Sequence, residues 1–82
     1  MERNPIIQAD LEEARRYPIV NVWWDSDQIY IATIPDLDAL QTHGTTIARA
    51  AEKAIEVIAD WLYENREAGY PIPVPSSALS VR

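Results

Sequence analysis

Few residues in this chain have the types and spacing for chemistry. Asp25, Asp27, Asp36 and Asp38 offer two carboxylate pairs, His43 is the only histidine, and Ser76, Ser77 and Ser80 are hydroxyls near the end. Two-metal phosphoryl transfer needs several carboxylates converging on cations. Asp25 and Asp27 read as a hairpin tip, whereas Asp36 and Asp38 read as the loop at the far end of the same strand. Extended chain at about 3.3 Å per residue holds the two pairs roughly 20–27 Å apart. The four cannot share one site, and turn formation is the ordinary role of each. His43 could make a weak cation site with Asp36 and Asp38, but Gln41, Thr42 and Gly44 around it mark an exposed strand end. The serines have no histidine or lysine nearby in sequence to activate them. Two glycines leave no phosphate-cradling loop, and the absence of cysteine removes thiol nucleophiles, thiolate metal sites and disulfides. The expectation is a non-enzyme that needs no metal or cofactor.

The remaining chemistry is that of recognition. The chain carries a formal net charge of −6. Such a surface repels a phosphate backbone, which is bound by clustered Lys and Arg, and anionic lipid for the same reason. A basic protein is the partner that acidity favours, since opposite potentials speed encounter and choose among partners. Acidity also serves solubility alone. Two groups of candidate partner-binding residues stand out. Trp23 and Tyr30, with Asp25 and Asp27, cluster around the expected hairpin tip. Glu56, Asp60 and Glu64, continued by Glu67, form an acidic strip on a helix. Like charges four apart cost a few tenths of a kcal/mol each, so the strip is either complementary to a basic surface or a solvated face.

The elements that must position these groups emerge from periodicity. Gln8 to Arg16 holds helix formers with Asp10 as a candidate N-cap, and Pro18 stops it. Ile19–Trp24 and Ile29–Ile34 are β-branched and aromatic, joined by the polar turn Asp25-Ser26-Asp27-Gln28. The hairpin register sets Trp24 against Ile29, Val22 against Ile31 and Val20 against Thr33. One face then carries Val20, Val22, Trp24, Ile29 and Ile31, and the other Ile19, Trp23, Tyr30, Ala32 and Ile34. Both are apolar, so something must cover each. We expect the face with Ile19, Tyr30 and Ile34 to be covered in part by the N-terminal helix through Leu11. The remainder, or a sheet edge, would then serve a homo-oligomer. Ala39–His43 reads as a short third strand.

From Ile47 to Ala68 the apolar stripe Ile47, Ala51, Ala54, Ile55, Ile58 and Leu62, widened by Ala50, Val57 and Trp61, predicts a long amphipathic helix. Thr45 or Thr46 is its N-cap and Gly69 its C′ residue. Tyr70 to Pro75 should be extended, and Leu79 and Val81 suit a short fourth strand at a sheet edge. The expected fold is α+β: a small antiparallel sheet packed against one long helix, with a short N-terminal helix. We read 1–82 as one domain, with an extension over 1–16, a core over 17–68 and a proline-rich tail over 69–82. No secretory leader or membrane span is evident, which points to the cytoplasm.

This order of elements, with the residues at its joints, resembles the HicB antitoxin family. Tyr17-Pro18-Ile19-Val20 matches the family's opening. The acidic turn and the aromatic-apolar second strand, ending in Pro35-Asp36-Leu37, match the family's next segment. Gly44-Thr45-Thr46 precedes the helix, Ala50 and Ala54 lie on it, and Ile72-Pro73-Val74-Pro75-Ser76 matches the end. The likeness spans residues 17–76. Asp38-Ala39-Leu40 departs from the family's frequent Gly-Cys, Thr45 stands where Asp is common, and Arg49 replaces a capping-box acid. The resemblance implies a partial ribonuclease-H-like fold and neutralisation of a small basic HicA-type RNA-cleaving toxin by protein contact. Family members commonly add a C-terminal DNA-binding domain. With none after residue 82, partner binding without operator binding is the expectation.

Overall fold

A computed structural model of the chain describes residues 8–76. Its elements run α1 (Gln8–Ala14), β1 (Val20–Trp24), β2 (Ile29–Ile34), a 3-10 turn (Pro35–Leu37), β3 (Leu40–Gly44) and α2 (Ile47–Glu67). The three strands form one antiparallel sheet in the order β1-β2-β3. The fold is α+β, a three-stranded sheet packed with one long helix and a short N-terminal one. Among the described residues no helix is long and apolar enough to cross a membrane. The expected terminal segments, residues 1–7 and a fourth strand through Leu79 and Val81, lie outside the described residues.

The hairpin register is the one that alternation predicts, with Val20 opposite Thr33, Val22 opposite Ile31 and Trp24 opposite Ile29. β3 then pairs Ile31 with His43 and Tyr30 with Gly44. Because side chains alternate across a strand, this fixes the two faces. Ala32 and Ile34 are fully buried beneath α2, together with Leu37, Ala50, Ala54, Ile58, Ala59 and Leu62. Tyr30, Ile19 and Leu40 pack at the margin of this core.

The hairpin face expected to be open is therefore the covered one. Small side chains explain the choice. Ala32 lets α2 lie close to the sheet, and Gly44 goes further: a Cβ there would stand 2.5 Å from the Ala50 amide nitrogen and 2.9 Å from its Cα. No ordinary contact allows such an approach, so strand and helix meet backbone to backbone at the Gly44–Ala50 crossing.

Both ends of α2 are capped as the sequence indicates. Thr46 is the N-cap, its hydroxyl accepting from the Arg49 amide at 3.1 Å. At the C-terminus Gly69, at φ +81, donates to the Arg66 carbonyl and Tyr70 donates to that of Asn65. These two bonds make a Schellman motif and satisfy carbonyls the helix would otherwise leave open. The buried stripe differs at two points. Ile47, in the first turn, is exposed, and Ala59 is buried, since α2 packs against α1 as well as the sheet.

α1 is shorter than expected, and Asp10 lies within its first turn rather than at the cap. The dipole still favours an acid there. Arg66, in the last turn of α2, ties α1 down by hydrogen bonds to both carboxylate oxygens of Glu13, at 2.6 and 2.5 Å, with Asp10 at 3.9 Å. Those bonds push the guanidinium pKa further up. Past α2, the tail folds back: the buried Tyr17 hydroxyl donates to the Pro73 carbonyl at 2.6 Å, and the Ser76 amide donates to Asp36 at 2.7 Å.

This packing makes two measurable demands. Gly44→Ala should lower stability by about 1–3 kcal/mol through overpacking, read from urea unfolding midpoints. Tyr17 is held above its ordinary pKa, first by burial and then by Glu13, with Arg66 opposing. Folding stability tied to this hydroxyl is fully present below the unfolded tyrosine value of about 10 and is lost as pH rises through the raised folded value. Tyr17→Phe should cost about 0.5–1.5 kcal/mol at neutral pH and flatten the alkaline loss seen in the wild type, both measured by denaturant titration across pH.

Candidate functional site

The candidate partner-binding residues fall into two places. Trp23 and Tyr30 sit side by side near the hairpin tip, ring centroids 4.9 Å apart and tilted by 60°, an arrangement that favours the edge of one ring on the face of the other. Asp25 builds the turn itself. Its carboxylate accepts from the Trp23 indole at 3.3 Å and from the Gln28 side chain at 3.2 Å, and its carbonyl accepts from Gln28 Nε2 at 2.8 Å. Gln28 in turn adopts a left-handed φ of 56. Asp27 lies exposed in the same four-residue turn. Asp25 thus belongs to the scaffold, while Asp27 and the exposed part of Trp23 remain available.

The second place is α2. Glu56, Asp60 and Glu64 are all exposed. They lie on the side away from the sheet, since Ala54, Ile58 and Leu62 face it. Arg49 and Lys53 precede the row, so the helix surface turns purely acidic only in its second half, Arg66 being drawn off to α1. Beside the row, Leu11, Arg15, Glu52, Ile55 and Glu56 line a shallow cleft of about 370 Å³ between α1 and α2. Its floor is apolar, from Leu11 and Ile55, and the Glu52 and Glu56 carboxylates on the α2 side stand across from the Arg15 guanidinium on the α1 side. Glu52 and this cleft escape sequence reasoning because α1 makes one wall, and its docking is a tertiary fact.

The two places are not one site. Tyr30 pairs with Gly44, which abuts Ala50, and Glu64 stands about 21 Å further along the helix at 1.5 Å per residue. The aspartates are likewise apart: Asp25 and Asp27 lie beyond one end of β2, Asp36 and Asp38 beyond the other. Among the described residues no three His, Asp or Glu side chains gather as a cation would require. His43 is exposed on the strand β3, opposite Ile31. Asp38 and Ala39 both take left-handed φ values, 58 and 57, which turns the chain from the 3-10 segment into β3.

The sheet's other side is the feature that the sequence left undecided. Val20, Val22 and Trp24 are 47, 51 and 49% exposed. With Ile29, Ile31 and His43 they form a surface that no described element overlies. Comparison with protein-family models, curated proteins and solved structures finds no significant match to the chain.

The division of labour at the tip can be measured. Asp25→Ala should destabilise the protein by about 0.5–1.5 kcal/mol through lost hydrogen bonds. Asp27→Ala should stay within about 0.5 kcal/mol of wild type. Thermal unfolding of the two variants side by side separates these outcomes.

Proposed function

We propose that the chain is a non-catalytic protein-binding module of antitoxin type, which neutralises a small basic RNA-cleaving toxin in the cytoplasm. The observation that carries the reading is the exposed acidic row Glu56, Asp60 and Glu64 along the outer side of α2. Carboxylates spaced along one helix face can occupy the cationic groups with which such a toxin holds RNA phosphates. The mild cost of like charges four apart is then offset when a basic surface docks. Exposed aromatic and apolar groups would anchor the contact, as buried aromatics do in most interfaces. The family likeness supports this reading through the residues quoted for it, and the comparisons add nothing to it.

The test is co-expression with a basic protein of the HicA type encoded beside this chain, followed by capture at low and high salt. Retention at low salt that weakens as salt rises is expected. The combined change Glu56→Lys, Asp60→Lys and Glu64→Lys should weaken capture at least about tenfold, or about 1.4 kcal/mol. Failure to retain the basic partner at low salt overturns the reading.

A further inference from the structure

The hairpin tip carries an aromatic side chain that is open to solvent and yet held in place. Trp23 is 43% exposed. Its indole N–H donates to Oδ1 of Asp25 at 3.3 Å, and its ring lies against Tyr30, which itself packs on the core beneath α2. That hydrogen bond uses the indole's one polar group, so what the ring still offers is π surface. The charge around it has one sign. No lysine or arginine occurs in residues 17–48. Among the described residues no cation stacks on Trp23, and neither Asp25 nor Asp27 is ion-paired.

We propose that this corner receives an arginine side chain of a protein partner, its guanidinium stacked on Trp23 and hydrogen-bonded to Asp25. The inference rests on the reading of a basic partner and deepens it by naming the side chain that anchors the contact. Each part of the corner selects that group. A cation is drawn to the face of an aromatic ring, and to indole above the others. Two carboxylates beside the ring repel an anion. An apolar side chain would bury acids that it cannot hydrogen-bond, which costs free energy. Between the two cationic side chains planarity decides. A guanidinium lies flat on the ring while its edge N–H groups donate, whereas an ammonium is compact and strongly hydrated.

One carboxylate serves both needs. The side-chain bonds that Asp25 accepts, from Trp23 at 3.3 Å and from Gln28 at 3.2 Å, both fall on Oδ1. Oδ2 of the same group is open to a further donor at the nitrogen edge of the ring. Asp27, exposed in the same turn, adds a second negative charge. Ring and acceptor are therefore in position before the partner arrives, which removes the entropy cost of ordering them on binding. Trp24, the next residue, has its side chain on the opposite face of the strand and lacks such a bond, so it serves as the internal control.

The test follows the indole N–H signals of Trp23, Trp24 and Trp61 in the isotope-labelled full chain. The probes are arginine, lysine and citrulline, each blocked at both ends, added to about 100 mM at constant ionic strength. Blocked arginine should move the Trp23 signal along a saturating curve with a dissociation constant of about 1–30 mM, and leave Trp24 and Trp61 in place. Blocked lysine should bind at least about threefold more weakly, and neutral citrulline at least about tenfold. Changing Asp25 and Asp27 together to Asn, which keeps an oxygen for the turn, should weaken arginine at least about threefold. Asp38→Asn, at the other end of β2, should leave the curve unchanged. Amide spectra of both variants establish that they fold. No saturable movement of Trp23 overturns the proposal, as do equal movement of Trp24, citrulline or lysine binding as well as arginine, or binding that the paired Asn change leaves intact. The readout needs no toxin: a silent Trp23 leaves the acidic row of α2 standing, and loss of toxin capture leaves this corner standing.

Discussion

Everything in this molecule depends on how closely α2 can lie against the sheet. One helix supplies half of the buried core residues, three of them alanines: Ala50 and Ala54, with Ile58 and Leu62, face Ala32 and Ile34, and Ala59 is buried toward α1. Small residues bury little area each, so the contact gains its strength from closeness, which multiplies dispersion contacts between neighbouring atoms. Gly44 marks the limit of that approach, where the strand backbone itself touches the helix. Arg66, Tyr17 and the proline-rich tail then hold the margins.

A single helix closes a single face. The sheet is thereby left two-sided: the covered side builds stability, and the other keeps Val20, Val22 and Trp24 in reach of solvent. Among the described residues the acidic groups lie off that apolar side, on the hairpin turn, the segment between β2 and β3, and the helices. One small body thus offers two chemically distinct surfaces, and neither needs to compromise the other. The hairpin tip joins them as scaffold, with Asp25 holding Trp23 and Gln28 in place.

Much of this was legible in the residues. The hairpin register comes from alternation on either side of Asp25–Gln28, and the long helix from its period, its Thr46 cap and Gly69. The face on which the helix would land was not legible. Val-Val-Trp on one side and Tyr-Ala-Ile on the other are both apolar, so hydrophobicity gives no preference. Closeness decides it, through Ala32 and Gly44, and the expectation that the Tyr30 and Ile34 side would be the exposed one is reversed. Ile47 and Ala59 were misplaced, since a stripe read from one helix cannot show which of its residues the rest of the chain reaches, or where a second helix docks. The acidic row was found directly, whereas the cleft beside it exists only once α1 is in place.

The seating of α2 can be tested by the pattern of nuclear Overhauser contacts from its alanine methyls in the isotope-labelled protein. With the helix on the inner face, Ala50 and Ala54 should report contacts with Ala32 and Ile34. Contacts from those methyls to Val22 or Ile31 would place the helix on the other side of the sheet and contradict the packing on which the rest depends.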